Sequence, residues 1–231
     1  MNGMPDKPQL FGTDGVRGVA GEYPLDRATV WKLGCAIGCV LEEEARTVAA
    51  TSTGGVRVTG GVRVVLGRDT RESGDGLARL MASGLSASGA RVSDAGVITT
   101  PGIAFLARRH AFAAGIVISA SHNPYRDNGI KVISQAGTKL SEAMELRIEQ
   151  ELDTIKPPQT DSADWAPSAL AERRPELSED YLRYLEGLAR EGLANDLKGT
   201  GGLRLVMDCA NGAASAQGPE LMRRLGVNTQ A

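Results

Sequence analysis

The run Ala114-Gly115-Ile116-Val117-Ile118 stops at Ser119-Ala120-Ser121-His122-Asn123-Pro124 and gives way to Tyr125-Arg126-Asp127-Asn128-Gly129-Ile130-Lys131. A short β-branched run halted by small polar residues, then Pro and Asn-Gly, predicts a buried strand whose carboxyl end opens into a loop. In an open α/β sheet, ligands bind at that end of the strands. The loop offers hydroxyls, an imidazole and amides, with an ammonium following at Lys131. It can therefore hold a nucleophile beside proton-transfer and anion-stabilising groups. The same residues also suit an ordinary strand-loop-strand turn.

Two other stretches carry comparable chemistry. In Phe11-Gly12-Thr13-Asp14-Gly15-Val16-Arg17-Gly18 the glycines free the backbone and Arg17 can fork onto phosphate oxygens. Taken alone, Gly-Thr-Asp-Gly fits a tight turn equally well. Gly67-Arg68-Asp69-Thr70-Arg71-Glu72-Ser73-Gly74 ends a second predicted strand, and its charges also suit a salt-bridged surface turn.

In this order and spacing the three stretches resemble the α-D-phosphohexomutase family, and Ser119 to Lys131 is worded most like the bacterial phosphoglucosamine mutases. The resemblance implies a three-layer α/β/α domain I with a mixed sheet over residues 1–156, a linker at 157–170, and the incomplete start of a second α/β domain over 171–231. It implies that Ser121 carries the transferred phosphate and gives Mg2+ its ligand position, with Arg17 near the phosphoserine and Lys131 or His122 moving protons. As a base, Lys131 has to lose a proton, which nearby positive charge assists. The stretch from Gly67 to Gly74 would support the serine loop from beside it.

The reaction so implied interconverts glucosamine 6-phosphate and glucosamine 1-phosphate, on the route to UDP-N-acetylglucosamine. A hexosamine 1,6-bisphosphate serves as intermediate and primer. The family's acidic Asp-Gly-Asp-type loop, with three magnesium ligands, has no counterpart here and is expected beyond Ala231, as are the sugar-recognition loop and a C-terminal phosphate-binding domain. The chain matches about the first half of such an enzyme and is expected to lack turnover alone. Phosphomannomutase or phosphoglucomutase activity, or a non-catalytic interaction domain, are the alternatives. Adjacent Ser121 and His122 do not suit a serine hydrolase.

A net charge of -2 from 26 basic and 28 acidic residues argues against a nucleic-acid or membrane-surface role, leaving a small sugar phosphate as the expected partner. Cys35, Cys39 and Cys209 lack metal-type clustering and are expected to pack in the core. No apolar run reaches the roughly 18 residues of a membrane span, and a cytoplasmic location is expected.

Apolar periodicity predicts a helix over 24–44, with Glu42-Glu43-Glu44 as a solvated face. The hexapeptide Thr-Gly-Gly-Val-Arg-Val occurs twice in tandem over 53–64, and its second copy should lead into a strand ending at Gly67. Further strands are expected at 90–98 and 130–133, and helices from Thr99 through Arg109 and over 141–155 with Ser141 as N-cap. His110 reads as a capping or surface residue. The second unit should open with a helix over 178–190, then a strand over 203–207 and a helix from Pro219, with no further strand. Its uncovered apolar face suggests a homo-oligomer or aggregation.

Overall fold

The computed structural model describes residues 8–51, 61–158, 171–192 and 204–231. Its central feature is a six-stranded sheet in the order β1-β5-β4-β2-β3-β6. The strands are β1 Val16–Val19, β2 Arg63–Arg68, β3 Arg91–Val97, β4 Ala114–Ile118, β5 Asp127–Ser134 and β6 Ala171–Arg173. β4, β2, β3 and β6 run parallel, whereas β5 is antiparallel to both β4 and β1. The sheet is therefore mixed, as expected.

Strand alternation builds two cores. Val64, Leu66, Ile116, Ile118, Ile130 and Val132 face one side, against α1 Arg27–Thr51, α2 Gly74–Ala87 and α4 Glu142–Thr154. Val65, Val117 and Ile133 face the other, against α3 Thr100–Arg109 and α5 Pro175–Gly192. With both faces covered, central strands need apolar residues at successive positions, and all five residues of β4 are buried. The result is the three-layer α/β/α arrangement.

Local chemistry fixes several ends. Ser141 Oγ accepts from the Met144 N–H at 3.3 Å, capping α4 as expected. Thr99 does the same for α3 through Gly102 N–H, with Pro101 in the first turn. His110 caps the other end of α3, and its Nε2 lies 2.8 Å from Asp180 Oδ2 on α5. Helices α1 and α2 approach closely because both present glycine: a Cβ on Gly34 would lie 2.6 Å from Met81 O.

Four expectations need correction. α1 runs to Thr51, well past its last apolar stripe residue, because its polar end is held by partners: Glu42 Oε1 accepts from Val62 N–H at 2.6 Å, and Glu43 and Glu44 pair with Arg147 of α4. That acidic run is thus more than a solvated face. Residues 171–192 do not open the second unit. β6 pairs with β3, and Leu177 and Tyr181 of α5 are buried in the core beside α3. The glycine-rich stretch near the start includes an edge strand, β1, hidden in the sequence by glycine and arginine. Finally, β7 Arg204–Val206 and β8 Asn228–Gln230 form a parallel two-stranded sheet joined by α6 Gln217–Arg224. No further strand was expected after α6, because Asn-Thr-Gln shows no apolar alternation.

The second sheet is tied to the first unit by charge. Arg224 of α6 reaches Glu179 of α5 with both Nη atoms, at 2.9 and 2.7 Å, and Gln217 Nε2 donates to Ser178 Oγ at 2.8 Å. The first copy of the repeated hexapeptide, and most of the expected linker, lie outside the described residues.

Candidate active site

The carboxyl ends of β2 and β4, the turn before β1 and the start of β5 meet at one edge of the sheet. β4 delivers Ser119, and the loop to β5 carries Ser121 and His122. Both are exposed. Ser121 has φ +58, in the left-handed region that costs a non-glycine residue about 1–2 kcal/mol. Its N–H donates to Ser119 Oγ at 3.0 Å, and its Oγ lies 3.4 Å from His122 Nδ1.

Ser119 is held in turn: its Oγ donates to Asp69 Oδ2 at 2.7 Å. Asp69 is 7% exposed and follows β2, where it also accepts from Arg71 N–H and Nε, each at 3.0 Å. Arg71 Nη1 donates to the carbonyls of Pro124 and Asp127 at 2.6 and 2.9 Å. Arg71 Nη2 donates to those of Ser121 and Asn123 at 2.8 and 2.9 Å. The expected supporting stretch therefore does lie against the serine loop.

Arg17 and Lys131 arrive from neighbouring strands. In the β1–β5 register Arg17 faces Gly129, two residues before Lys131, so one sheet face presents both cations. Both reach Asp14: Arg17 Nη2 lies 3.2 Å from Asp14 Oδ2 and Lys131 Nζ lies 3.5 Å from Asp14 Oδ1. The charge found beside Lys131 is thus negative, where the sequence reading looked to a positive one. Arg17 Nη1 also donates to Asn123 Oδ1, while Arg17 Nε is buried without a partner among the described residues.

The turn holding Asp14 is anchored from behind. Glu149 of α4 accepts from the N–H groups of Gln9, Leu10 and Phe11 at 2.7, 2.7 and 2.9 Å. Lys139 Nζ donates to Gly12 O at 3.2 Å. Gly15 has φ +87, and a Cβ there would overlap Ile130 O, so only glycine lets the turn lie against β5. On the other side, buried Asn128 donates from Nδ2 to Ser73 Oγ at 2.9 Å and accepts from Gly129 N–H at 2.8 Å. Ser73 precedes α2, yet its hydroxyl serves Asn128 and makes no capping bond to the helix.

The edge thus gathers an exposed seryl hydroxyl, an imidazole and two cations from adjacent strands. Such a set suits an anionic ligand and a nucleophilic oxygen. It does not make a Mg2+ site. Among the described residues no group of three or more His, Cys, Asp or Glu side chains gathers where a metal could be held. Asp14 is occupied by two cations, Asp69 by Ser119 and Arg71, and Asp127 Oδ2 by Asn123 Nδ2. Sequence reasoning missed Asp14, Ser119 and Asn123. Their roles depend on partners 50, 106 and 117 residues away in the chain, though the position of Ser119 at a strand's end was a usable signal.

A model of the phosphoglucomutase/phosphomannomutase alpha/beta/alpha domain I matches residues 8–159. The chain belongs to that family. Its members are mutases, enzymes of the isomerase class, and the family generally depends on Mg2+. Similar curated proteins include the phosphoglucosamine mutases of Solibacter usitatus, 45% identical over 95% of this chain, and Koribacter versatilis, 43% identical over 96%. The chain spans 44% of the length of each of these relatives. A Thermus thermophilus protein taken to be a phosphomannomutase superposes with a TM-score of 0.72 at 27% identity, over 96% of this chain and 45% of that one. A Burkholderia thailandensis family member shares the fold with a TM-score of 0.66 at 23% identity, over 96% of this chain and 43% of that one. Among the described residues no helix is long and apolar enough to cross a membrane.

Proposed function

We propose that this chain is the phosphoserine-bearing part of a phosphoglucosamine mutase. In this reading phosphorylated Ser121 gives its phosphoryl group to the free hydroxyl of a glucosamine monophosphate, and the hexosamine 1,6-bisphosphate so formed turns round and returns its other phosphoryl group to Ser121 Oγ. Glucosamine 6-phosphate and glucosamine 1-phosphate are thereby interconverted, supplying UDP-N-acetylglucosamine synthesis. The observation that carries the reading is the left-handed Ser121 at the exposed tip of the β4–β5 loop, with Arg17 and Lys131 on the adjoining strands. Phosphoryl transfer asks mainly for positioning and charge neutralisation.

The cations can offset the charge of a phosphate on Ser121 once it displaces them from Asp14. In this reading His122 Nδ1, which lies 3.4 Å from the seryl oxygen, holds its proton. Lys131 is the second proton carrier. Since the described residues make no Mg2+ site, the chain alone is expected to lack turnover. The likeness to the Thermus protein favours one alternative, a mutase acting on mannose or glucose phosphates.

The test supplies glucosamine 6-phosphate, Mg2+ and a hexose 1,6-bisphosphate to the chain, alone and within any longer gene product that contains it. Phosphate on Ser121 of the active product, with turnover abolished by Ser121→Ala, is the expected result. Turnover that survives the substitution overturns the reading, and parallel assays with mannose and glucose phosphates decide the sugar.

A further inference from the structure

We infer that Arg71, Asp69 and Ser119 form a positioning relay that sets the backbone of Ser121. The inference deepens the reading of Ser121 as the phosphate carrier, but its geometry stands without it. A guanidinium has five N–H donors. Those of Arg71 are matched one for one, by the Asp69 carboxylate and the carbonyls of Ser121, Asn123, Pro124 and Asp127. Four loop carbonyls therefore point at a single planar cation, which no ammonium could hold in the same fork.

Asp69 links that clamp to the serine from the other side. Its Oδ2 takes both Arg71 Nε and the Ser119 hydroxyl, and the same hydroxyl oxygen accepts the Ser121 N–H. Ser121 is thus gripped at both backbone ends, its N–H through Ser119 and its C=O through Arg71. A left-handed φ at a non-glycine residue persists only where its surroundings over-determine it, and this double grip does so.

The clamp has an electrostatic consequence. In a trans peptide the C=O and N–H point in opposite directions. By drawing in the carbonyls of Ser121 and Pro124, Arg71 turns the N–H groups of His122 and Tyr125 outward, and neither has a partner among the described residues. One of these free amides belongs to the peptide that follows the seryl side chain directly. Backbone N–H groups so exposed favour an anion, whereas carbonyls there would repel it.

The test is residue-resolved amide hydrogen exchange on the unphosphorylated chain, comparing the native protein with Arg71→Lys and Ser119→Ala. The Ser121, Asn123 and Asp127 amides all bond within the loop. Arg71→Lys should speed their exchange about tenfold to a hundredfold, the loss expected for charge-assisted bonds, while amides of β2 and β4 keep their protection. Ser119→Ala should release Ser121 alone. Unchanged loop protection in Arg71→Lys, or equal loss throughout the chain, overturns the relay. Because no phosphate is involved, failure of Ser121 to accept phosphate would leave these rates untouched and would count only against the proposed activity.

Discussion

Arg17 Nη1 donates to Asn123 Oδ1 at 3.2 Å across 106 residues of sequence, joining the edge strand β1 to the serine loop. Asn123 also donates from Nδ2 to Asp127 Oδ2 at 3.1 Å. Asn123→Ala removes both bonds at a half-buried site, and a loss of about 1 kcal/mol is expected. A urea unfolding midpoint measured against the native chain checks this, and an unchanged midpoint would show that solvent replaces both contacts.

Ser121 offers a second measurement. Its φ of +58 suits glycine, so Ser121→Gly should be more stable than Ser121→Ala by about 1 kcal/mol. Both variants lose the hydroxyl and with it any phosphate acceptor at this position. Paired thermal melts separate backbone strain from chemistry.

Helices α1 and α2 meet through glycine, and a Cβ on Gly84 would overlap Trp31 O. Gly84→Ala must push the helices apart within a packed layer, at a cost of about 3 kcal/mol. Chemical denaturation should show the drop, whereas Gly187→Ala in α5, where a Cβ meets open space, should raise stability by about 0.5–1 kcal/mol through helix propensity.

The attachment of α6 to α5 should depend on acid. The Arg223 and Arg224 guanidinium groups hold the Glu220 carboxyl down to about 2, and Arg224 and Arg183 lower that of Glu179. Carboxyls depressed in the folded state contribute stability that is present above their unfolded value of about 4.3 and is lost as pH falls towards about 2. Amide exchange in α6 should therefore rise between those limits while β4 remains protected. High salt at neutral pH should act in the same direction, since these are surface pairs.

Cysteine chemistry gives a fifth test. Burial, with a smaller push from Cys39, raises the Cys35 thiol to about 12, and burial also raises that of Cys39. At pH 8 iodoacetamide should leave Cys35 unmodified in the folded chain and label it once denaturant is added. Peptide mass spectrometry reads the result.

Much of this was legible in the sequence because the residues concerned act locally. The apolar run before Ser119 announces a buried strand, Ser141 announces a helix start, and the three Gly-containing stretches announce the family. What stayed hidden depends on partners distant in the chain. Glu43 and Glu44 look solvated until Arg147 is brought alongside. Residues 171–173 look like part of a new unit until β3 offers an edge to pair with. β8 has no apolar alternation to mark it, and Asp14 gains its importance only when two adjoining strands aim their cations at it.

With its donors all spent on the protein's own backbone and on Asp69, Arg71 has nothing left to offer a sugar. Under the proposed function, the frame that shapes the serine loop would therefore take no part in choosing the hexose. Such a frame can pass unaltered between enzymes of different sugar preference, so these residues advertise ancestry and stay silent about diet.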